Sequence, residues 1–158
     1  CLLAEITAWS ASQNKSLLDI LIDIAFEFGF YKEKLISLTK KGISGMQEIS
    51  DMMENYRNNY PKEIINKKVV KILDYQKSIE HCTLTNKNTA IKLPKSNVIQ
   101  YILEDETKIT MRPSGTEPKI KYYFSVNTNL ESKEAYEATS DKLEEKLSMI
   151  ISEMNLSN

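Results

Sequence analysis

The chain has 158 residues, of which 41% are apolar and 27% charged, and its formal net charge is −1. This balance is typical of a folded protein of one or two domains and excludes a disordered chain. The near-zero charge gives no electrostatic reason to expect a nucleic acid or an anionic membrane as partner, and the most apolar stretch is too short to span a bilayer.

The cysteine and histidine content argues against a metal site. Cys1 and Cys82 lack the spacing of a metal-binding pair, so we expect reduced thiols in an intracellular, cytoplasmic protein, with a disulfide between them left open. His81 is the only histidine, and a lone histidine is more typical of an ordinary surface or core residue. We therefore predict that this chain binds no metal and no cofactor.

The first thirty residues predict two helices. Apolar residues at helical spacing predict the first over residues 2–12, and Ser16 with Asp19 has the pattern of a capping box for the second. The second helix is apolar on two adjacent stripes, which predicts burial on more than one side, and Gly29 fits its end. Because the sequence starts with a cysteine inside a helical pattern, we expect a segment of a longer protein.

An extended segment and a third helix follow. Residues 31–39 are predicted to be extended, and residues 45–58 to be a helix with a methionine-rich stripe. Core packing is the simplest role for that stripe, while partner binding through Met46, Met52 and Met53 is the alternative. Pro61 disfavours helix at the preceding residue, and we place a domain boundary near it.

Beyond Pro61 the pattern changes to short strands and one final helix. β-branched and alternating residues predict strands over residues 69–73, 91–93, 98–103, 107–111 and 119–126. A helix is predicted to start near Leu130 or Ser132, with a stripe that includes Leu143, Leu147 and Ile150. Strands followed by a packed amphipathic helix predict a small α+β domain.

The loop between the last two predicted strands has the composition of an oxyanion site. It has the sequence Arg-Pro-Ser-Gly-Thr-Glu-Pro, residues 112–118. Arg112 offers a planar fork that matches phosphate, Ser114 and Thr116 offer hydroxyl donors, and Gly115 allows the positive φ of an anion nest. Two prolines restrict the loop, which reduces the entropy that binding would cost. An ordinary β-turn after a strand has similar composition, so the residue types alone leave both readings open.

Residues 112–118, followed by Lys-Ile-Lys-Tyr-Tyr, resemble the phosphate-binding loop of the α-D-phosphohexomutase superfamily. The resemblance to its phosphoglucomutase/phosphomannomutase branch extends to four flanking segments, residues 15–19, 28–34, 41–42 and 93–104. It implies that residues 1–60 are the mainly helical tail of the third domain of such an enzyme. Residues 61–158 would be the fourth, C-terminal domain, a small antiparallel sheet packed against helices and similar to the TATA-box-binding protein.

The resemblance also implies an activity and its ligands. Enzymes of this family interconvert the 1- and 6-phosphates of a hexose reversibly through a bisphosphate intermediate, with a phosphoserine in the first domain and Mg²⁺ in the second. The fourth domain clamps the phosphate that is not transferred. The implied partners are therefore a glucose or mannose phosphate, the bisphosphate, and the remaining domains of the same enzyme.

Carried over residue by residue, the resemblance assigns phosphate binding to five positions of this chain, Arg112, Ser114, Gly115, Thr116 and Lys121. Lys121 stands where the family often has arginine, which leaves a point charge without a planar fork. Three further residues are expected to support the loop, Pro113, Glu117 and Pro118, with the Glu117 carboxylate facing away from phosphate.

The chain lacks the motifs that carry the chemistry in this family. It contains neither the serine loop nor an Asp-x-Asp metal loop, and its four glycines leave no second glycine-rich loop. We therefore expect no catalytic residue here and an inactive segment of an isomerase. The alternative is a non-catalytic anion-binding or protein-interaction module.

Overall fold

A computed structural model describes residues 1–42 and 44–156 of the chain. Its helices are α1 (Leu2–Ser12), α2 (Leu17–Phe28), α3 (Gly45–Asn58) and α4 (Tyr136–Glu153), with a 3₁₀ turn at Lys133–Ala135 before α4. Its strands are β1 (Phe30–Thr39), β2 (Glu63–Ile64), β3 (Lys67–Asp74), β4 (Ile79–Cys82), β5 (Lys87–Ala90), β6 (Ile99–Leu103), β7 (Lys108–Pro113) and β8 (Lys119–Thr128).

The strands of the described residues form one sheet in the order β1-β8-β7-β6-β3-β4-β5, and β2 pairs with β3 beside this path. Strand β3 pairs antiparallel with β2, β4 and β6, and β7 pairs antiparallel with both β6 and β8. The predicted α+β fold class is confirmed. Strand β1 lies at one edge of the sheet, although the predicted boundary near Pro61 places its residues with the helical segment.

Period-two alternation builds the core of the sheet. Buried residues alternate with more exposed ones along β6, β7 and β8, except at the ends of β7 and β8, as half-buried strands require. Helix α3 contributes Ile49 and Met53 to the core, and its Tyr56 carbonyl accepts a hydrogen bond from the Tyr101 hydroxyl at 2.7 Å. Burial raises the pKa of Tyr101 above its ordinary range, so the hydroxyl stays a donor.

Two compact units result. One contains residues 1–32 and 127–145, and the other contains residues 33–126 together with the chain from Lys146 onward. These units differ from the predicted division into residues 1–60 and 61–158. That division refers to domains of a complete enzyme and stays a prediction.

Helix α2 forms as predicted but is not buried as predicted. Its capping box is present, because the Ser16 side chain accepts from the Asp19 N–H and the Asp19 carboxylate accepts from the Ser16 N–H. Only Ala25 of this helix is buried, whereas Leu18 and Leu21 are 50% and 51% exposed. The sequence predicts burial of these apolar stripes on more than one side, whereas the described residues leave most of that surface open.

The Met-rich stripe of α3 has mixed surroundings. Met53 is 1% exposed and belongs to the core, Met52 is half-buried, and Met46 is 46% exposed. Core packing therefore accounts for Met53. A continuous exposed methionine groove is not formed.

The segment between β3 and β6 was predicted incorrectly. No strand covers residues 91–93, and the hairpin of β4 and β5 precedes them instead. The sequence missed this hairpin because β5 is exposed along its whole length and lacks apolar alternation. Its partner β4 carries His81, whose ring nitrogen Nδ1 lies 2.7 Å from the Asn88 Oδ1 atom.

No helix within residues 1–42 and 44–156 is long and apolar enough to cross a membrane. Cys1 and Cys82 are both free thiols. Over the same ranges, no group of three or more His, Cys, Asp or Glu side chains is placed to hold a metal ion.

A buried arginine joins the end of α3 to the sheet. The Arg57 side chain is 3% exposed, and its Nε atom lies 3.4 Å from the Asp74 carboxylate, which is 11% exposed. Its Nη1 atom donates to the exposed Glu54 at 2.8 Å, and its Nη2 atom donates to the Asn97 side chain. Asp74 also accepts hydrogen bonds from two backbone N–H groups of the following turn.

We predict that Arg57→Ala lowers the free energy of unfolding by about 2–4 kcal/mol, because it leaves the nearly buried Asp74 carboxylate without its cation. Urea denaturation of the purified chain measures this change. The matched control is Glu54→Ala, which removes the 56% exposed partner of the same arginine and should cost below about 1 kcal/mol. Equal losses for the two variants would contradict the prediction.

The loop between β6 and β7 is tied to α4 by an ion pair. The Lys146 Nζ atom lies 2.9 Å from the Asp105 carboxylate. Burial on its own would raise the pKa of Asp105, but hydrogen bonds from Lys146 and Thr107 outweigh it, so the pKa lies below its ordinary value. A lowered pKa in the folded state stabilises the fold at neutral pH, and this contribution is lost as the pH falls through that pKa.

We predict that Lys146→Met raises the pKa of Asp105 and reduces the loss of stability between neutral and acidic pH. Carboxyl-detected NMR titration of the chain gives the pKa directly. The exposed Lys142 on the same helix forms no ion pair with the residues that the structure describes, so Lys142→Met serves as the control. An unchanged Asp105 titration in Lys146→Met would show that the ion pair does not set this pKa.

Candidate phosphate-binding site

The hairpin of β7 and β8 places two cations beside each other on the open face of the sheet. Arg112 pairs with Lys121 across the ladder, and Pro113 pairs with Ile120. Met111 and Tyr122 are buried on the other face, so the alternation directs Arg112 and Lys121 toward solvent. Residues directly opposite in an antiparallel pair have Cβ atoms about 5 Å apart.

Hydrogen bonds within the loop fold it back onto Ser114. The Ser114 N–H donates to the Lys119 carbonyl at 2.8 Å and closes the base of the loop. The Ser114 hydroxyl oxygen accepts from the N–H groups of Thr116 and Glu117, at 3.4 and 3.2 Å. This arrangement is a serine-initiated turn, in which the side chain substitutes for a backbone acceptor.

The start of α3 supports the far end of the loop. The Lys40 N–H donates to the Pro118 carbonyl at 2.8 Å. A Cβ atom on Gly45 would lie 2.9 Å from the Lys40 carbonyl oxygen and 3.0 Å from the Pro118 Cβ. Glycine at position 45 therefore permits a close approach of helix and loop that a larger residue would push apart.

A cavity of about 310 Å³ lies against this loop. Its lining includes the cations Arg112, Lys119 and Lys121 and one carboxylate, Glu117. The Glu117 carboxylate lies 3.5 Å from the Lys119 Nζ atom. Neither Arg112 nor Lys121 forms an ion pair with any residue that the structure describes.

The structure brings together four of the five predicted phosphate-binding residues at the cavity, Arg112, Ser114, Gly115 and Lys121. Thr116 is exposed and does not line the cavity. Gly115 does not have the expected positive φ, which occurs among the described glycines at Gly29 and Gly42. A Cβ on Gly115 would meet no atom within 4 Å, so this glycine leaves open space above the loop.

The supporting residues also differ in part from expectation. Pro118 lies outside the cavity lining and receives the hydrogen bond from Lys40, as a support would, whereas Pro113 and Glu117 line the cavity. Glu117 was expected to face away from phosphate. At the cavity edge its carboxylate lies 3.5 Å from the Lys119 Nζ atom.

Lys119 and Tyr123 line the cavity but were not predicted as site residues. The alternation of side chains along β8 could have indicated both residues, because residues two apart on a strand share a face. Lys119, Lys121 and Tyr123 therefore lie on one side of β8.

The chain is similar in sequence to curated proteins, although no protein-family model matches it. Over 128 residues it is 38% identical to a phosphoglucomutase of Staphylococcus haemolyticus strain JCSC1435. This match covers 81% of this chain and 23% of that protein. Over 113 residues it is 42% identical to a phosphoglucomutase of Staphylococcus aureus strain MRSA252. This match covers 72% of this chain and 20% of that protein.

A solved structure is also similar, with lower sequence identity. It is the open form of pp63/parafusin, a phosphoglucomutase from Paramecium, with a TM-score of 0.43 and 14% sequence identity. The match covers 87% of this chain and 23% of that chain. The matched segment spans only 20–23% of the length of the two curated relatives. The sequence identity to the curated relatives shows that the chain belongs to the phosphohexomutase superfamily and corresponds to its C-terminal region.

Proposed function

We propose that residues 112–121 clamp the non-transferred phosphate of a hexose phosphate during reversible interconversion of its 1- and 6-phosphates. The complete enzyme would be a phosphoglucomutase or phosphomannomutase. The names of the relatives support a sugar phosphate as the ligand class. The cross-strand pair of Arg112 and Lys121 is the observation that carries the proposal.

Two cations directly opposite each other on neighbouring strands repel and destabilise the sheet. Elsewhere on the sheet a lysine can face a carboxylate, as Lys71 faces Glu80 at 3.2 Å. Arg112 and Lys121 have no such partner among the residues that the structure describes, and they border a cavity beside a loop of N–H and O–H groups. A bound dianion removes the repulsion and supplies the missing partner for both side chains.

The loop offers this anion a mixture of fixed and adjustable donors. Arg112 can donate two parallel hydrogen bonds, whereas Lys121 and Lys119 act as point charges on flexible stems. The open space above Gly115 allows a phosphate oxygen to approach the backbone closely. The Ser114 hydroxyl already accepts two N–H groups, and its own hydrogen remains available for donation to an anion.

Chemistry would take place on other domains of the enzyme. The phosphoserine and the Mg²⁺ that the resemblance implies belong to the first and second domains, whose motifs this sequence lacks. The chain itself would bind and orient the phosphate and transfer no group. Conversion of glucose 1-phosphate by this chain alone would contradict that assignment.

We propose that the other domains of the enzyme cover the exposed apolar surface of α1 and α2. Leu2, Leu3 and Trp9 of α1 are 70%, 69% and 55% exposed. Large apolar residues exposed in this number on one helix are typical of an interaction surface in a folded protein. The relatives are four to five times longer than the segment that this chain matches, so they contain the additional domains needed to cover it.

We predict that inorganic phosphate shifts the amide NMR signals of residues 114–121 and that Arg112→Ala weakens this binding about tenfold or more, because each hydrogen bond to a charged group is worth roughly 1.5–3 kcal/mol. Arg112→Lys tests the planar fork and should recover only part of the affinity. Glucose without phosphate should leave the loop signals unchanged.

The matched control is Lys67→Ala, which removes an exposed cation of β3 that does not line the cavity. It should bind phosphate like the unchanged chain. If Arg112→Ala and Lys67→Ala bind phosphate equally well, the loop is an ordinary turn and the proposed function is wrong.

We predict that the 158-residue chain self-associates and binds a hydrophobic dye, and that the double substitution Leu18→Glu with Leu21→Glu suppresses both. The reason is that these side chains are half-exposed on α2 without a covering element among the described residues. Sedimentation and dye fluorescence measure the effect. Leu84→Glu is the control, since Leu84 is 69% exposed and belongs to the other compact unit. An equal response to both changes would contradict the assignment of this surface.

A further inference from the structure

The phosphate cavity contains a carboxylate of its own. Glu117 lines it together with Arg112, Lys119 and Lys121, and no other lining residue carries a negative charge. The Glu117 carboxylate lies 3.5 Å from the Lys119 Nζ atom, and the two side chains are 63% and 35% exposed. An anion that enters this cavity therefore meets a negative charge beside the cations that would bind it.

Backbone hydrogen bonds keep Glu117 at the cavity. Its N–H donates to the Ser114 Oγ atom at 3.2 Å, and its carbonyl accepts from the Lys119 N–H at 2.7 Å. The carbonyl of Pro118, between them, accepts from the Lys40 N–H at 2.8 Å. Because the backbone is held on both sides, only rotation of the Glu117 side chain can move its carboxylate away from a bound anion.

The pair of Glu117 and Lys119 is loose enough to exchange partners. Its separation of 3.5 Å is longer than the distance of about 2.7–2.9 Å in a charge-assisted hydrogen bond. Exposed ion pairs contribute little to stability, whereas hydrogen bonds from a cation to a phosphate are roughly twice as strong as neutral ones. A phosphate can therefore take the Lys119 ammonium from the carboxylate, which leaves Glu117 unpaired next to the dianion.

We propose that Glu117 is an internal competitor of the bound phosphate. It pairs with Lys119, gives up this ammonium when phosphate binds, and then repels the dianion, so that the clamp holds phosphate less tightly. The proposal rests on the proposed phosphate clamp and adds to it a residue that opposes binding. A reversible interconversion requires release of the phosphate in both directions, and a change in affinity at one site acts mostly on the rate of dissociation.

The test is Glu117→Gln, which keeps the size of the side chain and removes its charge. Inorganic phosphate is titrated into the unchanged chain and the variant, and the amide NMR signals of residues 114–121 are followed. We expect the variant to bind phosphate about three- to tenfold more tightly at low salt. A unit charge and a dianion about 6 Å apart in water repel by the equivalent of about tenfold in affinity before screening. The gain should shrink as added salt screens the repulsion.

A second substitution tests whether Lys119 is exchanged between the two anions. We expect Lys119→Met to weaken phosphate binding more in the Glu117→Gln chain than in the unchanged chain, because the ammonium has no carboxylate to leave there. Glu80→Gln is the matched control, since it also removes one negative charge, from a pair with Lys71 at 3.2 Å, and Glu80 does not line the cavity. It should leave the affinity for phosphate unchanged.

The outcomes separate the role of Glu117 from the clamp. Equal or weaker binding of phosphate by Glu117→Gln, or an equal gain in Glu80→Gln, overturns the role of Glu117 while the clamp stands. Equal losses from Lys119→Met in both chains overturn the exchange of Lys119. If phosphate shifts the loop signals of neither chain, the clamp itself is wrong and the role of Glu117 with it.

Discussion

The antiparallel register between β7 and β8 is the constraint on which the candidate site depends. A slip of β8 by one residue against β7 would turn Lys121 toward the core and expose Tyr122. The cost of exposing that side chain holds the register, since burying a large side chain is worth about 1.5–3 kcal/mol. The hydrophobic pattern of the hairpin thus enforces a cation pair that would repel if it stood alone.

Helix α3 links the stability of this unit to the shape of the loop. Its Tyr56 meets the sheet twice, since its carbonyl accepts from Tyr101 and its hydroxyl lies 3.1 Å from the Tyr122 hydroxyl. Its first residue, Gly45, contacts the Pro118 end of the loop at a distance that permits no side chain. Because one rigid helix makes both contacts, movement of the loop relative to the core is restricted on the Pro118 side. The Ser114 side is held by its own turn hydrogen bonds.

Local patterns predicted the helices and the central strands well, while features that depend on surroundings were missed. The capping box at Ser16 and the alternation in β8 are read within a few residues, and both are present. The exposure of α2 depends on which other segments are available to cover it, and the φ of Gly115 depends on how Ser114 organises the turn. Neither is a property of the local pattern. Lys119 and Tyr123 could have been predicted from alternation, because they stand two residues before and two residues after Lys121 on the same strand.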